Sequence, residues 1–218
     1  MGIGQRFKAA GYKMPKPLIN VAGKPMIERA IEPFLDKGDF TFVVRPEYAG
    51  LKLPGRKIVL EGDTEGAACT VLKGLEGLDL SEPLIILNSD QIMDFSWLNF
   101  YALQDGCDPD GVIWVFEARG NRWSYVELDP DSGKIIRVKE KEQISPWGTC
   151  GAYYFKRGYF FQNAANKMID ANCRVNNEFY VAPVYNWFFE GAKILPFESG
   201  MQGLGTPEDL EKYLCTLS

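Results

Sequence analysis

The chain contains no histidine, and that count limits what its other residues can do. It removes Ser–His and Cys–His nucleophile pairs, imidazole general bases and His-liganded zinc. Chemistry then falls to carboxylates, Lys, Arg, backbone amides or a metal held through oxygen. Near the start stands Gly2-Ile3-Gly4-Gln5-Arg6-Phe7. Its glycines let backbone N–H groups approach a phosphate closely, and Arg6 adds a planar cationic fork. Alone, G-x-G is a weak signal, and at a terminus it also reads as a frayed end. Lys16 follows in Pro15-Lys16-Pro17-Leu18-Ile19. Proline on both sides holds it in an extended frame and removes backbone freedom that makes lysine a poor positioning group. Farther along, Asn88-Ser89-Asp90 closes the apolar run Leu84–Leu87. A carboxylate past the carboxyl end of a buried parallel strand sits where such sheets bind ligands, and it suits Mg²⁺. A turn or helix-cap aspartate fits the same position, since a helix is expected from near Asp94.

A third short segment, Gly23-Lys24-Pro25-Met26-Ile27, completes a pattern. Together these segments resemble the opening of the sugar-phosphate nucleotidyltransferase (pyrophosphorylase) family: G-x-G-x-R-F, then P-K-P-L-I, then G-K-P-M-I entering a helix. The resemblance runs over nearly the whole chain, weakening after about Lys156 and returning at Gly203-Leu204-Gly205-Thr206-Pro207. It implies that a phosphate oxygen of a phosphorylated acceptor attacks the α-phosphorus of a nucleoside triphosphate and releases pyrophosphate. No covalent enzyme intermediate is needed, in keeping with a chain that lacks histidine. By the same resemblance Gly2 and Gly4 bind nucleotide, Arg6 and Lys16 face the triphosphate, and Asp90 holds Mg²⁺.

Glu61–Ala68 resembles the family's base-recognition stretch, with Gly66 admitting a base edge to the main chain and Thr64 offering a hydroxyl. A plain helix N-cap explains Thr64 equally well. Lys139-Glu140-Lys141 resembles the family's E-K-P element without its proline. That match puts Glu140 on acceptor hydroxyls and Lys141 on the acceptor phosphate; the other reading is a solvated, charged strand end. Gly151 and Glu178 match acceptor-pocket positions. Trp147, Tyr153, Phe160 and Phe161 read as core.

Two departures bear on function. Family members lead into the glycine loop from an apolar strand, whereas this sequence starts inside the loop, so it is N-terminally truncated relative to the pattern. Many relatives also carry a second metal aspartate two residues before a Gly-Thr, where Gly203 stands here. Asp90 is then the one expected metal ligand, and the acceptor is expected to be unusual. Three readings compete. The first is a nucleotidyltransferase on a sugar 1-phosphate, feeding polysaccharide synthesis. The others are a cytidylyltransferase on phosphocholine or a similar small compound, and a catalytically silent nucleotide- or sugar-phosphate-binding relative. A GT-A glycosyltransferase ranks lower, because D-x-D is absent around Asp90.

The elements that must position these residues follow from patterning. The 218 residues are 46% hydrophobic and 24% charged, the balance of a globule, and 1–218 read as one domain. Net charge is −5 with no basic run, which argues against nucleic-acid binding. Five scattered cysteines, no C-x-x-C pair, no signal peptide and no long apolar span point to a reduced, cytoplasmic protein without a membrane segment. Oligomeric state is not readable. Thr41–Val44, Lys57–Leu60 and Leu84–Leu87 read as strands, interleaved with helical periodicities at Met26–Phe34 and Ala67–Leu75. Pro25 suits a first helical position, and Asp63-Thr64-Glu65 a capped, acidic helix start. That alternation predicts a mostly parallel sheet covered on both faces. The second half predicts antiparallel strands over Gly111–Ala118, Trp123–Asp129, Ile135–Lys141 and Thr149–Lys156. Helices are expected at Tyr159–Ala171, Glu178–Glu190 and from Thr206. The expected class is α/β, a three-layer, Rossmann-like fold of the nucleotide-diphospho-sugar-transferase kind, its mixed sheet carrying an antiparallel extension.

Overall fold

The computed structural model describes residues 4–217. Its first part contains α1 (Gln5–Ala9), β1 (Asn20–Val21), β2 (Lys24–Pro25), α2 (Met26–Ile31), β3 (Thr41–Val44), β4 (Arg56–Val59) and α3 (Ala67–Gly74). Next come β5 (Leu84–Leu87), β6 (Gln91–Asp94), α4 (Trp97–Cys107), β7 (Gly111–Glu117), β8 (Ser124–Leu128) and β9 (Ile135–Glu140). The last are β10 (Trp147–Phe155), α5 (Gly158–Asp170), β11 (Ile194–Glu198), β12 (Gly200–Gly203) and α6 (Pro207–Cys215).

Strand β10 is the axis of a six-stranded sheet. β7 runs antiparallel along one side of it, and β11 lies parallel beyond β7. On the other side β5 pairs with its second half and β8 joins at Gly148, with β9 outside β8. β3 and β4 form a separate parallel pair, and β6 and β12 an antiparallel one. The mixed sheet and its antiparallel extension are as expected, but the parallel share is smaller. β5 takes an antiparallel partner, β10, because an apolar run shows burial on two faces and not which neighbour it meets.

Burial explains the layers. The face carrying Ile86, Ile113, Phe155 and Tyr153 packs against Phe161, Ala165 and Met168 of α5 and Ala68 of α3. The opposite face, with Val112, Trp114 and Ala152, packs against Phe100 of α4, whose ring stacks on Trp114 at 4.8 Å. A third, smaller core gathers Phe7, Ile19, Val21 and Met26 with Leu204 and Leu210. It fastens the N-terminal segment to α6.

Several expected boundaries moved. Pro25 is the N-cap of α2 rather than its first residue. α3 starts after Gly66, whose φ of 136° is not helical, so Asp63-Thr64-Glu65 lies outside the helix. The stretch after Asp90 is strand β6, and α4 begins beyond Asp94 with Ser96 as its cap. The expected helix over Glu178–Glu190 is only a 3-10 turn, Ala182–Trp187, with Pro183 in its first turn. The side-chain amide of Asn186 ties that turn to β9 by accepting from Val138 N and donating to Val138 O, both at 2.8 Å. No helix among the described residues is long and apolar enough to cross a membrane. All five cysteines are free thiols.

Candidate active site

Lys16 opens a 3-10 turn, Lys16–Leu18, started by Pro15 and stiffened by Pro17. Pro17 and Ile19 are buried, so the turn is anchored while the lysine head stays at the surface of a cleft. Its ammonium pairs with the Asp90 carboxylate at 2.5 Å and reaches the Gly205 carbonyl at 3.4 Å. Asp90 lies between β5 and β6, where its own carbonyl accepts from Leu204 N at 2.8 Å. That bond continues the β6–β12 pairing and holds the Gly205 turn against the acid. Arg6, on α1, lines the same cleft. Gly4 stands behind: a Cβ there would meet Lys16 Cβ at 2.9 Å, and its φ is 66°. The third core described above therefore sets the position of every one of these groups.

The cleft has a volume of about 360 Å³, and Glu140 and Lys141 line it too. Glu140 is buried at the end of β9 and accepts from Ser124 Oγ, its cross-strand neighbour. Burial raises its carboxyl above the ordinary value of 4.5; the Ser124 bond and Lys141 oppose the shift and Glu178 adds to it. Lys141 has a left-handed φ of 56°, an uncommon state for a residue with a Cβ. Its N–H donates to Trp123 O at 2.9 Å. Its ammonium donates to the Tyr180 hydroxyl and lies 4.5 Å from that ring's centre. Tyr153, expected in the core, is indeed buried, yet its edge floors the cleft, with its hydroxyl 3.0 Å from Thr149 Oγ1.

Other predicted residues act from behind the wall. Thr64 Oγ1 lies 3.1 Å from the Gly66 carbonyl and is hydrogen-bonded to Thr70 Oγ1 at 2.5 Å. A Cβ on Gly66 would lie 2.5 Å from Phe179 N and O, so this glycine admits the Phe179 backbone. Phe179 N donates to Glu65 O and Phe179 O accepts from Ala68 N, both at 2.9 Å. This strut carries Glu178 beside Tyr180. Gly151, at φ 76°, likewise leaves space for a neighbour, since a Cβ there would strike the Gln91 oxygen at 1.8 Å. It makes room for the Asn88–Gln91 amide pair, which does line the cleft. Gly2 lies outside the described residues.

Sequence reasoning passes over Arg122, Asp209, Tyr180 and Ser124, all on the cleft wall. Arg122 and Asp209 form an ion pair at 3.0 Å across a separation of 87 residues. Asp209 carries a local signal, the acidic first turn of α6, but that signal points to a helix start and not to a cleft.

Two cations and an acid, Arg6, Lys16 and Asp90, thus share one cleft with the buried carboxylate of Glu140 and with Lys141 on an α/β fold. The chain belongs to the nucleotidyl transferase family, whose model matches residues 1–178. It is 28% identical over 157 residues to the mannose-1-phosphate guanylyltransferase catalytic subunit beta of Danio rerio, covering 66% of this chain and 44% of that protein. The Dictyostelium discoideum protein of the same name matches at 28% over 156 residues, again 66% and 44%. The chain thus spans less than half the length of these curated relatives. The crystal structure of a nucleoside-diphosphate-sugar pyrophosphorylase from Vibrio cholerae RC9 superposes with a TM-score of 0.84 at 25% identity. That match covers 98% of this chain and 97% of the other.

Proposed function

We propose that the protein transfers a nucleoside monophosphate from a nucleoside triphosphate to a sugar 1-phosphate, giving a nucleotide-sugar and pyrophosphate. The observation that carries this reading is the convergence of Arg6, Lys16 and Asp90 on one cleft that Glu140 and Lys141 also line. An acceptor phosphate oxygen forms the new bond to the α-phosphorus while the bond from that phosphorus to the bridging oxygen breaks. No proton need be abstracted, so alignment and charge neutralisation are the main requirements.

Arg6 and Lys16 bind the triphosphate and offset the negative charge that grows on departing pyrophosphate. Glu140, held by Ser124, accepts hydrogen bonds from hydroxyls of the sugar, and Lys141, held by Tyr180, adds a positive charge beside the acceptor phosphate. Thr64 and Gly66 carry the loop facing the base, and Gly151 and Glu178 support the acceptor wall. Gly2 and Gly4 belong to the phosphate loop. Asp90 suits Mg²⁺, since it is a hard oxygen donor reaching the cleft with its side chain 26% exposed. An ion there would take one carboxylate and complete its shell with phosphate oxygens and water. Such an ion would neutralise phosphate charge when bound.

The test is pyrophosphate release across GTP, UTP, dTTP and CTP with mannose 1-phosphate, glucose 1-phosphate and phosphocholine. Turnover with a sugar 1-phosphate, lost in Asp90→Asn with its melting temperature preserved, is the expected result. Turnover with phosphocholine alone, or nucleotide binding without turnover at any Mg²⁺ concentration, would reject the reading.

A further inference from the structure

Arg122 stands in the β7–β8 connection and lines the cleft. Its guanidinium lies over the Trp123 ring at 4.4 Å and donates to Asp209 Oδ1 at 3.0 Å. Both supports are themselves fixed. Trp123 meets Phe116 edge-on at 5.2 Å, and the main-chain N–H of Asp209 donates to the cap oxygen of Thr206 at 3.2 Å. Gly203 completes the arrangement, because a Cβ there would stand 3.2 Å from the Trp123 ring and 3.8 Å from Arg122 Nη2. An arginine clamped on two sides has already lost most of its rotamer freedom, unlike an ordinary surface arginine. The side chain remains 53% exposed. The Asp209 bond uses one N–H of the five that a guanidinium carries.

We propose that Arg122 binds the phosphate of the acceptor substrate, with Trp123 and Asp209 as its positioning residues. The assignment rests on the transfer reading given above. In that reaction the acceptor phosphate must reach the α-phosphorus, so it lies between the triphosphate end at Lys16 and the hydroxyl-reading end at Glu140. Arg122 connects to both sets of residues: it bonds Asp209, whose N–H is capped by Thr206 beside Gly205, and it adjoins Trp123, whose carbonyl holds Lys141. The Lys141 ammonium is engaged by Tyr180, whereas the Asp209 bond takes one Arg122 N–H and the half-exposed guanidinium has others to donate to a dianion.

Arg122→Gln and Arg122→Lys test this, with steady-state kinetics and with calorimetric titration of mannose 1-phosphate, glucose 1-phosphate, phosphocholine and GTP. Expected in Arg122→Gln is an acceptor KM raised about 10- to 100-fold with the GTP KM within about twofold. Arg122→Lys should recover little of it, since an ammonium cannot stack and fork. An unchanged acceptor KM in an active enzyme, or a loss falling on GTP instead, overturns the assignment and leaves the transfer reading intact. A wild type without turnover whose acceptor binding still weakens in Arg122→Gln overturns the transfer reading and retains the phosphate contact. A wild type that binds none of the acceptors overturns both.

Discussion

At the scale of single residues, Glu140 carries the clearest pH signature. Burial lifts its carboxyl above the ordinary value of 4.5, so the folded chain holds that proton more tightly than the unfolded chain does. The sign follows from linkage: its contribution to stability is complete below 4.5 and is lost as pH rises through the raised value. Glu140→Gln should therefore melt higher than wild type toward neutral pH, with the gap opening from 4.5 upward; thermal melts against pH decide it. The same variant should raise acceptor KM, because an amide presents a weaker acceptor to sugar hydroxyls. A melting curve parallel to wild type at every pH would place the carboxyl in water instead. Of the cleft lining, Arg6, Lys16 and Asp90 stand out in the sequence beside glycine, proline or a strand end, and the fold brings the three together. Gly66 and Gly151 were visible as glycines, but their neighbours, Phe179 and Gln91, come from distant segments. Arg122 and Asp209 could not be paired in advance, because nothing local to either one names the other.

Among the elements, α6 shows how packing becomes function. Its sequence announces it: Thr206 caps the Asp209 N–H, Pro207 opens the first turn, and Leu210 falls on the inward face. Leu210 is 1% exposed and touches the small core that also contains Phe7, Ile19 and Met26. Leu210→Ala should cost about 2–5 kcal/mol by leaving a cavity. It should also weaken nucleotide binding, although Leu210 itself lines no part of the cleft. Denaturant unfolding and calorimetry would show the two losses together; a stability loss with unchanged nucleotide affinity would separate the core from the site. Element existence was readable wherever periodicity was long, as for α3, α5 and β7 to β10. The short pieces β1, β2, β6 and β12 escaped, since they are as short as β3 to β5 or shorter and lack the continuous apolar run that marks those strands. The expected helix over Glu178–Glu190 failed for a stated reason. Pro183 removes a donor there, and Asn186 spends its amide on the β9 backbone.

For the whole molecule, stability is unevenly distributed. β7 and β10 are buried along almost their full length, while three of the four β4 residues are exposed and β3 hydrogen-bonds only with β4 among the described strands. Amide exchange should be slowest in β7 and β10 and faster in β3 and β4 by about tenfold or more. Equal protection in both regions would contradict this division. Fold class was legible because alternating patterns constrain layers strongly; strand neighbours were not, since β5 and β10 are joined by burial and not by proximity in sequence.

The contact between Lys16 and the Gly205 carbonyl closes a loop of 189 residues. Seating the ammonium there waits on a long-range closure, and loop-closure entropy makes such steps slow. A protease that clips between the two would part the lysine from that carbonyl without cutting any residue of the opening motifs.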